Sequence, residues 1–405
     1  MKKINQEKIK SLLERNVEKI IDRDRLEVLL KSGKKLRIKY GVDVTSPLLH
    51  LGHAVNLWKM REFQELGHKV IFLIGDFTTR IGDPTGRSLT RPVISKKQIE
   101  RDAKEYKRQI SKILLTNSSV FEERRNSEWY DKMSLSEFLS LASKITHARL
   151  IKRDMFQARI EEGREIYIHE FLYPILQGYD SVMLKADLTI IGEDQLFNEL
   201  IGRYYQEVFY QDPQCIITTT ITPGLDGREK QSKSLGNYIA ILDKPAEKYG
   251  KIMSIPDNLI IPYFKVYTKL SLEEVGRIEK DLKSGVNPRD MKARLAYEIV
   301  KIYHGEKKAK EAEREFEKIF RKKEIPSKIK TIKIKRQKIS IIDLLVRVNL
   351  ASSKSEARRM VEQNAVKIDK KLINDWREMI DLRKGMIIQV GKRRFIRLDV
   401  KNKKD

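Results

Sequence analysis

The sequence predicts an α/β fold: a parallel-sheet domain, then an all-helical segment, then a small α+β domain. Three observations carry this reading. Apolar strand candidates alternate with helical patterns through the first 240 residues; strand signals then fade after about Lys244; and a Pro- and Lys-rich stretch precedes a last segment rich in capping and hairpin signals. A chain of 405 residues is also too long for one core. The expected boundaries are 1–240, 241–325, a basic linker at 326–337, and 338–405.

Taken in order, the first ~33 residues read as amphipathic helix, with Ile9, Leu12, Leu13, Val17, Ile20 and Ile21 at helical spacing. "KLRIKYGVDV" alternates like a strand and breaks at Gly41. "LGHAVNLWKMREFQELG" is helical and closes on Gly67, and "HKVIFLIGDFT" is a second, strongly apolar strand. Together they make a β-α-β unit, the seed of a parallel sheet. "ADLTIIGEDQ" and "QCIITTTITPG" supply later strands, and residues 245–320 read as wholly helical. "RKKEIPSKIKTIKIKRQ" (321–337) reads as linker. Ser353 and Glu356 form a capping box that opens a helix bearing Arg358 and Arg359, and "GMIIQVGKRRFIRL" reads as a closing hairpin.

The net charge is +26, with 35% charged residues. From Pro326 onward there are 23 Lys and Arg against 9 Asp and Glu, so more than half of the excess lies in the last fifth of the chain. Such a field points to a polyanionic partner, nucleic acid above all; lysine-rich solvation of a heat-adapted surface is the other reading. One cysteine, Cys215, excludes an internal disulfide and a cysteine-based metal cluster. No apolar run approaches the ~18 residues of a membrane span, and the charged start is not a secretory signal. The expectation is a cytoplasmic protein with no membrane association.

"LLHLGHAVNL" (48–57) places His50 and His53, two of only six histidines, at a strand-to-helix junction. A helix start beyond a parallel strand favours phosphate, to which imidazole N–H groups can add hydrogen bonds. Gly52 leaves bare backbone against which a flat ring can lie. Two incidental polar residues at a helix start remain an equal reading, whereas a metal pair lacks a third ligand nearby. "EKQSKSLGN" (229–237) carries Lys230, Lys233, Ser232 and Ser234 on a Gly-flanked segment; alone, in so lysine-rich a chain, it reads better as a solvated loop. In "HEFLYPILQGYDSVML" (169–184), Tyr173, Gln177 and Asp180 share a helical face that holds no Lys or Glu. That composition suits a polar pocket wall, with a partly buried flank as the alternative. "IGDPTGRSLTR" (81–91) is a tight turn carrying Asp83, Arg87 and Arg91, and is not a P-loop.

In combination these pieces resemble the class I aminoacyl-tRNA synthetases, "HLGH" being similar to that class's first signature and "KQSKS", about 180 residues later, to its second. The ordered set "KYGVDVTSPLLHLGH", "GDFTTRIGDPTGRSLTRP", "NSEWY", "YPILQGYDS", "GEDQLFN" and "LDGREKQSKSLGNY" resembles the bacterial tyrosyl-tRNA synthetases. The likeness continues through "NPRDMKARLA…YHG" into the tail and covers nearly the whole chain.

The resemblance implies a Rossmann-like catalytic domain, a helical domain that binds the tRNA anticodon, and a tail of the S4 RNA-binding type with Arg358 and Arg359 as RNA contacts. It implies L-tyrosine, ATP with Mg²⁺, and tRNA(Tyr) as substrates, and a homodimer. His50, His53 and Thr45 would contact the ATP phosphates; Lys230, Lys233, Arg87 and Arg91 would close on the pyrophosphate. Asp43, Gly192 and Asp194 would hold the ribose, with Gly52 and Ser234 completing the ATP contacts. Asp83, Tyr173 and Gln177 would bind the amino group of tyrosine, Asn126 and Gln195 would support them, and Asp180 would accept the phenolic hydroxyl.

Three positions depart from the family pattern: Gln231 for the usual methionine, Ile191 for a glycine, and Lys39 for the tyrosine that often pairs with the substrate hydroxyl. The Lys39 variant is read as a subtype, with Tyr40 facing the other side of the strand. Two rivals stand beside this reading. A tryptophan synthetase is disfavoured by Asp180, since an indole N–H is only a donor. A noncatalytic RNA-binding paralogue is disfavoured by the presence of both signatures.

Overall fold

The first β-α-β unit forms as its residue pattern requires. The structure, a computed structural model, describes residues 6–45, 48–81, 94–320, 329–391 and 394–401. Strand β2 is Arg37–Val42 and strand β3 is Lys69–Ile74; they pair in parallel, joined by the helix Leu51–Glu65. That helix ends where Gly67 takes a φ of 92° and His68 N–H reaches back to the Phe63 carbonyl. On β3, Val70, Phe72 and Ile74 enter one core, with Leu57, Met60 and Phe63 of the helix. Ile71 and Leu73 enter a second core on the opposite face, with Trp129, Tyr130 and Leu176. A strand buried on both faces has no need to alternate, which is why "KVIFLI" is a continuous apolar run.

The remaining strands of this sheet are β1 (Val17–Ile21), β4 (Phe121–Arg125), β5 (Leu188–Ile191) and β6 (Cys215–Thr219). Their order is β1-β6-β5-β2-β3-β4, all parallel except the antiparallel edge strand β1. From β2 the chain builds outward to β3 and β4, then returns to build β5 and β6 on the other side. The order therefore reverses between β2 and β5, where doubly wound sheets open a crevice.

Two local expectations need correction here. The first ~33 residues are not one helix: helix Gln6–Glu14 and helix Arg23–Lys31 flank β1. Asn16 and Asp22, both left-handed (φ 55° and 66°), break the helix on either side. Val17, Ile20 and Ile21 satisfy either period, and pairing with β6 decides the matter. The strand "FEERR" carries no apolar alternation in the sequence because it is an edge strand whose charges pair laterally, Glu122 with Arg37 at 3.4 Å and with Lys69 at 3.7 Å.

The described residues form two compact units, Met1–Lys244 with Lys251–Tyr303, and Pro245–Gly250 with His304–Asp405. Residues 245–320 are helical as expected, including Ile260–Tyr267, Leu272–Lys283 and Pro288–His304. In the second unit, Lys330–Lys335, expected to be linker, is strand β7. It shares a sheet with β9 (Val366–Ile368), β10 (Lys371–Leu372), β12 (Ile387–Val390) and β13 (Arg394–Lys401), while β8 (Lys338–Ser340) pairs with β11 (Met379–Asp381). Ile332 and Ile334 alternate toward the core, a period hidden by the surrounding lysines. The hairpin β12–β13 forms as read. Ser353 caps the helix Lys354–Glu362 by accepting from Glu356 N–H at 3.2 Å, but Glu356 returns its bond to Ser352 instead, at 2.6 Å. No helix among the described residues is long and apolar enough to cross a membrane.

Two glycines give opposite expectations for stability. A Cβ on Gly178 would stand 3.0 Å from both Ile201 and Tyr205, because the helices Ile168–Leu184 and Leu196–Val208 pack closely there. Gly178→Val should lower stability by about 1–3 kcal/mol. Gly276, inside the helix Leu272–Lys283, faces open space, and Gly276→Ala should raise it by about 0.5–1 kcal/mol. Thermal unfolding of the two variants beside the parent checks both signs.

Candidate active site

Where β2, β3, β5 and β6 end, a cavity of about 410 Å³ opens at the reversal point of the sheet. Its lining includes the residues that directly follow those strands, among them Asp43, Gly75, Gly192 and Thr220.

The two short motifs meet at its mouth. Leu51 N–H donates to the Ile239 carbonyl and Ile241 N–H to the Leu49 carbonyl, each at 2.9 Å, so His50 lies opposite Ala240 in an antiparallel bridge. This pairing ties the histidine segment to the chain just after the lysine loop. His50, His53 and Lys230 line one cavity, while Lys233 acts on both rings through its charge. Lys233 and Ser234 are exposed on the same loop, Ser234 sharing a hydrogen bond with Ser232. Thr45 sits in an exposed bend outside the lining.

His50 precedes the helix Leu51–Glu65 and His53 lies in its first turn, their rings 3.9 Å apart between centroids. Burial, then the neighbouring imidazole and Lys233, drive His50 down to about 2; burial, Lys233 and Lys230 drive His53 down to about 4. Both are therefore neutral at pH 7. His53 Nδ1 accepts from His50 N–H at 3.3 Å, which leaves Nε2 to carry the hydrogen as a donor. His50 Nδ1 is buried with no hydrogen-bond partner among the described residues. The flat ring that rests on the bare backbone of Gly52 is that of His50 itself, 3.0 Å from where a Cβ would stand.

The second motif's glutamine is structural. Gln231 is buried, donates to the Tyr267 hydroxyl at 2.9 Å and accepts from Ile239 N–H at 3.3 Å. It holds the root of the lysine loop through its amide, as a packed apolar side chain would through contact.

The predicted face of the helix Ile168–Leu184 forms the polar wall. Tyr173 donates to Asp43 Oδ2 at 3.0 Å, and the other oxygen of Asp43 accepts from Thr78 at 2.7 Å. Gln177 donates to Gln195 at 3.3 Å and to Glu199 at 2.9 Å, and accepts from Asn198 at 2.7 Å. Asp180 is 4% exposed and accepts from Trp129 Nε1 at 3.1 Å and from Asn126 at 3.4 Å. Burial pushes its carboxyl up to about 7, against the pull of Lys39 and, more weakly, of Tyr130, Asn126 and Trp129. Gly192, Asp194 and Gln195 lie at the turn after β5, within the lining.

Asp83, Arg87 and Arg91 lie outside the described residues. Arg358 and Arg359 are exposed on the helix Lys354–Glu362 of the second unit, where the Arg358 guanidinium lies 4.4 Å from the Trp376 ring centroid. Glu199, Asn198, Trp129 and Thr78 were not singled out from the sequence. The one available signal was Lys39 inside an apolar strand: a buried ammonium demands an anion, but nothing in the linear order says which.

A family model described as "tRNA synthetases class I (W and Y)" matches residues 31–321, and one described as "Tyrosine--tRNA ligase SYY-like C-terminal domain" matches 315–398. The chain is 48% identical to the tyrosine–tRNA ligase of Thermotoga maritima over 388 residues, covering 96% of each chain. It is 46% identical to that of Moorella thermoacetica over 403 residues, covering 98% of this chain and 97% of the relative. In fold it is similar to a C-terminally truncated mitochondrial tyrosyl-tRNA synthetase of Aspergillus nidulans, with a TM-score of 0.64 at 24% identity over 79% of this chain and 95% of the other. A tyrosyl-tRNA synthetase of Archaeoglobus fulgidus, crystallised with L-tyrosine, matches with a TM-score of 0.59 at 23% identity over 76% and 99%. Near-complete coverage at such identity, over a cavity where both class I motifs meet, places the chain in the tyrosine–tRNA ligase family of the class I tRNA synthetases.

Proposed function

We propose that the chain activates L-tyrosine with ATP, releasing pyrophosphate, and transfers the tyrosyl group from the adenylate to the 3′ end of tRNA(Tyr). The observation that carries this is the pairing of Leu49–Leu51 with Ile239–Ile241, which gathers His50, His53 and Lys230 into the cavity that Tyr173, Gln177 and Asp180 also line.

The activation step needs no base from the protein. The tyrosine carboxylate is ionised at pH 7 and attacks the α-phosphorus directly; the bond to the bridging oxygen breaks and pyrophosphate leaves. What remains is positioning and charge stabilisation. Neutral His53 offers its Nε2–H to a phosphoryl oxygen, and the neutral His50 ring lines the cavity beside it. Neutral imidazoles donate without adding positive charge beside Lys230 and Lys233. Those lysines, with Arg87 and Arg91, close on the departing pyrophosphate, while Thr45 and Ser234 add hydroxyl donors. Mg²⁺, as part of the nucleotide substrate, would neutralise phosphate charge beside these residues.

Asp43, Gly192 and Asp194 hold the ribose, the Asp43 carboxylate being preset by Thr78 and Tyr173. Asp83, Tyr173 and Gln177 bind the substrate ammonium, with Gln195 supporting Gln177. Asp180, braced by Asn126 and Trp129, accepts the phenolic hydroxyl. Phenylalanine would leave that buried carboxylate one donor short. Tyrosyl-tRNA synthetases are themselves the known example of this effect, at ~10⁵-fold.

The helices of residues 241–325 serve as the anticodon-binding part, and the basic segment from 338 as an S4-type RNA-binding domain to which β7 adds a strand. Arg358 and Arg359 contact the RNA backbone there. The resemblance to the family implies a homodimer, and the exposure of Leu135, Leu139 and Ile168, at 73%, 58% and 74%, is compatible with it. The compartment is the cytoplasm.

The direct test is ATP–pyrophosphate exchange against all twenty amino acids, with stimulation expected from tyrosine. His50→Ala or His53→Ala should slow tyrosine-dependent exchange by ~10²-fold while equilibrium dialysis still registers tyrosine binding. Because Asp180 titrates at about 7, the KM for tyrosine should climb as pH falls from about 8 to about 6, and Asp180→Asn should raise it and flatten that dependence. Both histidines lie far below this window and add no inflection. Ending the chain after residue 320 should spare adenylate formation, weaken tRNA charging and reduce its sensitivity to salt.

A further inference from the structure

Lys39 is 2% exposed on β2, with its ammonium 2.7 Å from Glu199 Oε2 and 2.7 Å from the Ser181 hydroxyl. Glu199, on the helix Leu196–Val208, is equally enclosed and fully used. Its Oε1 accepts from Gln177 Nε2 at 2.9 Å, and its Oε2 also accepts from Gln214 Nε2 at 2.7 Å. Both members of the pair line the cavity. A buried ion pair contributes little net stability compared with well-packed apolar residues, so its position between two substrate-facing side chains calls for another reason.

One reason is the orientation of Gln177. A side-chain amide can turn end for end, and only its oxygen can accept from an ammonium ion. Ionised Glu199 can only accept. It therefore draws the NH₂ end of Gln177 to itself and leaves Oε1 as the acceptor, shared with Asn198. Lys39 in turn pairs with the Glu199 carboxylate at 2.7 Å and holds it in place. The other reason is Asp180. Among the groups that oppose its desolvation, Lys39 has the largest effect. Ser181, which accepts from Lys39, follows Asp180 in the chain.

We propose, on the tyrosine-activation reading above, that the Lys39–Glu199 pair is a specificity-determining positioning device. Through Glu199 it locks the acceptor end of Gln177 toward the substrate ammonium, and through its bond to Ser181, the residue after Asp180, Lys39 braces the helix segment that presents Asp180 to the phenol. Lys39 thus acts through its bonds to Glu199 and Ser181, and Asp180 remains the acceptor of the hydroxyl.

The test combines Lys39→Met with Glu199→Gln, which removes both charges without leaving either one buried alone. Tyrosine-dependent ATP–pyrophosphate exchange should lose about 10- to 100-fold in kcat/KM for tyrosine, mostly in KM. The ratio of kcat/KM for tyrosine over phenylalanine should drop at least about tenfold, with the KM for ATP within about twofold. Glu199→Gln alone, nearly isosteric, keeps the Lys39 charge and disturbs only the Gln177 arm. It should raise the KM for tyrosine and spare most of the tyrosine/phenylalanine ratio. Wild-type KM and ratio in the double variant, or a wild-type KM for tyrosine in the single variant where the double one does not fold, would overturn the proposal. Absence of tyrosine-dependent exchange in the unaltered enzyme would instead overturn the activation reading, and this inference with it.

Discussion

The site rests on a short stretch of antiparallel backbone. Two hydrogen bonds of 2.9 Å join Leu49–Leu51 to Ile239–Ile241, segments about 190 residues apart. Without them the histidines would cap an ordinary helix and the lysines would occupy an ordinary solvated loop. With them, a rigid parallel sheet fixes one motif and the second is tied to it through the backbone. Gln231 strengthens the tie, since its amide bridges Ile239 and the Tyr267 hydroxyl. The lysines on either side of it remain exposed, as suits the proposed closing on a product and its later release.

Electrostatics in the cavity follow from burial more than from formal charge. Desolvation is the largest influence on His50, His53 and Asp180, and in each it favours the neutral form. For the histidines that outcome serves the proposed chemistry, because a neutral ring donates without repelling nearby lysines. For Asp180 it works against the proposed chemistry, which needs an anion. Lys39 supplies the opposing charge, and its own burial is offset by Glu199. The same physical effect thus leaves one pair of groups alone and requires compensation at another.

The basic tail obeys a different logic. Its core is built from β-branched and leucine side chains such as Ile341, Leu344, Val366 and Ile388, while lysines and arginines project outward. Arg358 and Arg377 pack on the Trp376 ring, but most of the charge there sets the long-range field, which a polyanion meets before any contact forms.

Much of this was legible in the sequence. The period of "KVIFLI", the Gly67 stop and the Tyr173–Gln177–Asp180 face depend on neighbours a few residues away, so linear order contains them. The charge asymmetry needs no structure at all. Three things had to wait for tertiary contacts. Val17–Ile21 is strand because β6 offers it a partner; "KTIKIK" is strand because β13 does; and Lys39 is paired because Glu199, on a distant helix, turns its carboxylate inward. Local patterns determine which elements the chain can form and which faces they present. Edge pairing and the partner of a buried charge are decided by which distant segments the core brings together, and no local period encodes that.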